Sequence, residues 1–166
     1  MTPSEVLSDA FGRVHESVEA VLDGLTDEQL QHRPGPQANP IGWLVWHLAR
    51  VQDDHVADVA GGEQVYAGFV DRFALPYDED AIGYGQSSDD VAAFAAPVAL
   101  LGEYAAAVHE RTLAYLATLS GEDLDRVVDD SWDPPVTVEV RLVSVIGDCL
   151  QHLGQAAYVK GLAERA

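Results

Sequence analysis

The segment Asp148-Cys149-Leu150-Gln151-His152 sits inside the otherwise apolar run VSVIGDCLQHLGQAAYV. At 100° per residue, Val145, Asp148, His152, Gln155, Ala156 and Val159 fall along one stripe of a helix, and that stripe is the apolar, inward one. Positions i and i+4 lie on adjacent turns, roughly 6 Å apart at Cβ, so the carboxylate and the imidazole can converge on one point. An unpaired carboxylate on such a face costs several kcal/mol and must be compensated. Two compensations are open. One is a buried aspartate–histidine pair bonded only to itself. The other is a divalent metal, for which carboxylate and imidazole are ordinary ligands.

A second element carries a matching group. In NPIGWLVWHLARVQDDHVADVAG, His47 stands among Trp43, Leu44, Val45, Trp46 and Leu48, an apolar setting that also suits a core histidine. If a helical bundle brings this segment beside the last one, His47, Asp148 and His152 make three protein ligands. Three ligands and one position left for water or substrate is the arrangement of catalytic zinc; a closed structural site needs a fourth. Asp54, seven residues after His47, shares its stripe and is the candidate catalytic base, able to orient an imidazole or take a proton, with a solvated acid in the QDDH run as the alternative. His55 is expected to be peripheral or exposed. His109, beside Glu110 and Arg111, reads as a surface residue, and His15 and His32 have no evident partners. Cys149 has no local cation to lower its pKa and reads as a small buried hydrophobe. Gln155, one turn beyond His152, can bond a ligand or another helix. Trp43 and Trp46 read as core, and Trp132 as loop packing or part of a pocket mouth.

The elements that must position these residues follow from periodicity. Val6, Phe11, Val14, Val18, Val21, Leu22 and Leu25 repeat on one face of a helix from about Pro3 to Gly24, capped by Thr2 or Ser4. Thr26 and Gln29 form a capping-box pattern opening a short helical turn that ends at Pro34. Asn39 is the expected cap and Pro40 the first residue of a second helix, which runs to about Ala60 and stops at Gly61 and Gly62. Residues 61–87 show no sustained period and are expected to form a long irregular connection, of the kind that often covers a site. Ser87 and Asp90 open a third helix that Pro97 kinks or restarts. An acidic loop with a short extended piece at Val136–Val140 then leads to a fourth helix over about Glu139–Glu164. Four long amphipathic segments with little strand imply an all-α four-helix bundle, a single domain over residues 1–166, with sites built from inward side chains on facing helices.

Composition narrows the partners. The 166 residues carry 28 acidic and 9 basic side chains, a formal charge of −19 with no Lys/Arg cluster, which argues against nucleic acid and anionic membrane. No apolar run reaches the roughly 20 residues of a membrane span, and the N-terminus does not read as a signal sequence, so a cytoplasmic location is expected. The single cysteine excludes an internal disulfide framework.

The segments GWLVWHLARVQDD and DCLQHLGQAAYVKGL, with the WDPPVTVEVRLVSVIGD approach to the last helix, resemble the DinB/YfiT-like metalloenzymes. The resemblance covers essentially the whole chain and is specifically to the branch of mycothiol-dependent maleylpyruvate isomerases and thiol S-transferases. It implies a four-helix bundle holding a divalent metal, zinc foremost, with nickel or another divalent ion as alternatives. The implied ligands are a histidine on the second helix and an acid or histidine four residues before a second histidine on the fourth, here His47, Asp148 and His152. Much of the wider family has histidine at the position of Asp148, whereas the mycothiol branch has glutamate, one methylene longer. The implied activity is transfer or addition of a low-molecular-weight thiol to an electrophilic small molecule, and family habit with exposed apolar helix faces implies a homodimer. Hydrolysis by a metal-activated water, or metal or ligand binding without turnover, would use the same three residues.

Overall fold

The Thr2 hydroxyl accepts from the Glu5 backbone N–H while the Glu5 carboxylate accepts from the Thr2 N–H, and this reciprocal cap starts the first helix. The computed structural model describes residues 2–165. In chain order its helices are α1 (Pro3–Leu22), α2 (Asp27–Leu30), α3 (Ile41–Ala60), α4 (Val70–Phe73), α5 (Ser88–Ala92), α6 (Val98–Leu116), α7 (Gly121–Leu124) and α8 (Val138–Ala163). One antiparallel ribbon joins β1 (Val127–Asp129) to β2 (Val136–Thr137), and about 65% of the chain is helical.

The long helices pack in pairs: α3 lies against α8 and α6, and α1 against α6 and α8. Their apolar faces meet in one core. Phe11, Val14 and Val18 come from α1, Leu44, Trp46 and Leu48 from α3, Leu101, Tyr104 and Val108 from α6, and Leu142, Val145 and Cys149 from α8. Each large apolar side chain fully withdrawn from water contributes about 1.5–3 kcal/mol, so this shared interior is the main stabilising term. No helix among the described residues is long and apolar enough to cross a membrane.

Several boundaries differ from the sequence reading for identifiable reasons. Pro40, not Asn39, occupies the cap of α3, with extended backbone (ψ 160°) and no side-chain cap; its carbonyl accepts from the Leu44 N–H. The segment after α3 is more ordered than its lack of period suggests. It contains a 3-10 turn at Val65–Gly68 and then α4, because Tyr66, Phe69 and Phe73 pack their rings 5.1–5.6 Å from that of Tyr104. Tertiary aromatic packing fixes these turns, and four residues are too few to show a period. At Pro97 the helix restarts, one of the two outcomes expected there: Ser87 and Asp90 cap α5, and α6 begins after Pro97. The extended piece near residue 136 is two residues long, with Val138 to Val140 already helical, and α7 was not anticipated. Trp132 is exposed instead of packed.

Candidate metal centre

Every residue of α3 from Ile41 to Asp53 is buried, which an amphipathic surface helix would not show. One side of the helix meets α6 and α8, and the 61–87 connection covers another. Along that covered side, α3 offers a polar group about once per turn. The Trp43 indole N–H donates to Gln86 Oε1 at 2.7 Å, His47 Nδ1 bonds the Ile82 carbonyl, and Arg50 Nε donates to the Ala81 carbonyl at 3.1 Å. Asp53 accepts from the backbone N–H groups of Val65 and Tyr66, each at 2.8 Å.

His47 therefore has a defined tautomer. A carbonyl only accepts, so Nδ1 carries the proton and Nε2 keeps its lone pair. Its ring stacks on Trp43 at 4.7 Å and meets the edge of the His152 ring at 4.7 Å. The loop that supplies the carbonyl approaches so closely that a Cβ on Gly83 would lie 2.7 Å from His47 Nδ1, and Gly83 has φ +96°.

The second half of the site comes from α8. His152 Nε2 lies 3.6 Å from Asp148 Oδ1, and His152 Nδ1 lies 3.0 Å from Gln155 Oε1. In the neutral ring the amide oxygen favours the proton on Nδ1, which leaves Nε2 free to bind a metal. Asp148 Oδ2 is buried without any hydrogen-bond partner, a cost that a native fold rarely leaves uncompensated. Donor atoms from His47, Asp148 and His152 all lie within 4.8 Å of one another. One nitrogen of each imidazole and a carboxylate oxygen thus converge, and each imidazole has an oxygen acceptor at its Nδ1. That is the usual support for histidine ligands, and the residues fit a divalent metal.

Electrostatics act on the two histidines in opposite directions. Burial lowers the His47 pKa, with the proximity of His152 acting in the same direction and the Ile82 carbonyl and Asp148 opposing it. His47 is thereby held neutral, the form that ligates. The interaction with His152 holds Asp148 below the usual carboxylate range against the effect of burial, and Asp148 in turn raises His152.

The sequence candidates separate accordingly. Asp54 is not in the converging group: its Oδ1 accepts from Gln64 Nε2 at 2.8 Å, and its Oδ2 lies 3.6 Å from His55 Nδ1. His55 is nonetheless close enough to the site to feel Asp148, although burial, the larger effect, lowers its pKa. Cys149 is buried with Sγ 3.7 Å from the Leu48 carbonyl, and burial pushes its thiol far up, which leaves no nucleophile there. Gln155 bonds the His152 imidazole, within its own helix. His15, expected to lack a partner, and His109, expected at the surface, stack on each other across α1 and α6, centroids 4.4 Å apart. Sequence reasoning missed Arg50 and the Ala81–Gly83 backbone; an arginine in a run of apolar residues was the one available signal.

A largely helical fold whose facing helices converge two histidines and an aspartate defines a class of small proteins with a candidate metal site between helices. The chain belongs to the DinB superfamily, whose family pattern matches residues 10–156. It is also similar to a conserved protein from Enterococcus faecalis known from its crystal structure, at 31% identity and a TM-score of 0.91, with 100% of this chain and 99% of that one covered. None of the curated proteins matches.

Proposed function

We propose that this protein is a metal-dependent enzyme that joins a low-molecular-weight thiol of the mycothiol type to an electrophilic small molecule. The observation that carries the reading is the convergence of three ligand atoms within 4.8 Å, two of them imidazole nitrogens of rings whose Nδ1 atoms meet oxygen acceptors. Three ligands leave an open position, the feature that distinguishes catalytic from structural zinc sites. A divalent ion held by His47, Asp148 and His152 would supply Lewis acidity that lowers the pKa of a thiol. Trp43 and the Ile82–Gly83 backbone lie against His47, while the Asp148 and His152 side chains stay 37% and 20% exposed, so a small molecule reaches them.

In this reading the S–H proton passes to the Asp54–His55 pair, the sulfur forms a C–S bond with the electrophilic carbon, and the electron pair displaced onto the substrate accepts the proton. Asp54 Oδ2 lies 3.6 Å from His55 Nδ1, and His55 is close enough to Asp148 to feel its charge.

Metal content and thiol binding test this reading in sequence. Protein purified after incubation with zinc should carry close to one equivalent per chain, and below about one-tenth equivalent with zinc and with nickel the metal reading fails. The loaded protein should then gain thermal stability with one of mycothiol, glutathione or bacillithiol. If none stabilises it, S-transfer is excluded and hydrolysis or simple binding takes its place. With a turned-over substrate in hand, Asp54→Asn should lower kcat more than KM.

A further inference from the structure

Arg50 is the only arginine with no exposed surface among the described residues, and it lies one turn beyond His47 on α3. Its guanidinium reaches in several directions at once. Nε donates to the Ala81 carbonyl at 3.1 Å, Nη1 donates to Gln64 Oε1 at 2.7 Å and sits 3.5 Å from the Tyr104 hydroxyl, and the group lies over the Tyr66 ring at 4.0 Å. Its one acidic neighbour, Asp53, is 3.7 Å away and already accepts from Val65, Tyr66 and Tyr104. Nη2 has no partner.

As a stabilising device this is poor. A buried charge whose acid is shared with three other donors, and whose fork is incompletely bonded, is commonly matched or bettered by an apolar side chain of similar volume. The geometry accounts for it differently. Gln64 and Ala81 belong to the two ends of the connection after α3, and one planar fork touches both. Ala81 immediately precedes Ile82, whose carbonyl fixes the proton of His47, and Gly83 is pressed against the same ring. The consecutive carbonyls of Ala81 and Ile82 are therefore held on α3 by Arg50 and His47 respectively.

We infer that Arg50 is a positioning residue for the metal centre: by clamping Ala81 and Gln64 with one guanidinium, it sets the Ile82 carbonyl that locks His47 with Nε2 free to ligate. This rests on the metal reading of the site, but its structural half does not need metal to be measured. In metal-free protein, long-range proton–nitrogen NMR should show His47 as the Nδ1–H tautomer. Arg50→Met, which keeps volume and removes the fork, should lose that fixed tautomer and bind zinc about 10- to 100-fold more weakly in competition with a chromophoric chelator. A purely structural role predicts a lower unfolding midpoint with tautomer and zinc affinity unchanged at temperatures where the variant is folded, and that result overturns the inference.

Should Arg50→Met not fold, Arg50→Lys decides. It keeps a positive charge near Asp53, but a single ammonium cannot span Gln64 and Ala81, so the same two losses are expected. A wild-type tautomer and wild-type zinc affinity in the lysine variant would reject the clamp. If the unaltered protein binds no zinc, the metal reading falls, and the tautomer comparison alone supports or rejects the role of Arg50.

Discussion

His47 depends on a backbone that has no room for a side chain beside it. At Gly83 a Cβ would meet His47 Nδ1 at 2.7 Å, Trp43 at 3.0 Å and Trp46 at 3.1 Å, and the positive φ of +96° is itself unfavourable to any other residue. Gly83→Ala is expected to destabilise the fold by about 1–3 kcal/mol, the usual cost of such backbone strain, and to weaken zinc binding by at least about tenfold, since the imidazole must move. Denaturant midpoints and a zinc titration of the folded variant test the two parts, and unchanged zinc affinity would show that the loop does not hold the ligand. Asp148 and His152 were legible as a pair because i,i+4 neighbours meet within one helix whatever the rest of the chain does. His47 was legible only once two helices were assumed to face each other. The Ile82 carbonyl was invisible, because any residue type offers one, and Arg50 and Gly83 take their meaning from it.

At the scale of elements, the long helices were readable from their periodic apolar faces, and the reciprocal caps at Thr26–Gln29 and Ser87–Asp90 appear where the residue types placed them. The two short turns over 65–73 were not readable, since they exist through contacts with α6. The same limit hid the seam between α1 and α6, where His15 and His109 stack with an interplanar angle of 9° and each leaves Nδ1 buried without a partner. Burial lowers the His109 pKa, His15 across the seam lowers it further, and Glu110 on its own helix with Glu19 on α1 opposes both. A depressed imidazole stays neutral in the fold and takes up its proton more readily when unfolded. Its effect is absent well above the ordinary value of 6.5 and becomes destabilising as the pH falls below it. Between pH 7.5 and 5, His109→Gln should therefore lose less of its urea midpoint than the unaltered chain. Equal losses would show that His109 does not titrate with folding.

The whole molecule carries a formal charge of −19, and this field makes metal binding both favourable and easy to misread. Divalent ions condense on any acidic surface, so stabilisation by zinc alone does not identify a site. A specific site adds RT ln(1 + [L]/Kd), about 2.7 kcal/mol at one hundred times Kd, which for a domain of this size corresponds to a rise of about 5–11 °C in Tm. His152→Ala removes one ligand yet leaves all 28 acidic residues in place, so it isolates the specific share. The rise should fall to within about 2 °C in that variant, and sodium chloride at matched ionic strength should not reproduce it in the unaltered chain, because salt screens the exposed carboxylates without bridging α3 to α8. An undiminished rise in His152→Ala would assign the effect to the acidic surface. An ion held by His47 on α3 and by Asp148 and His152 on α8 would join two helices that pack directly on each other, so its binding energy would oppose their separation and be felt as global stability.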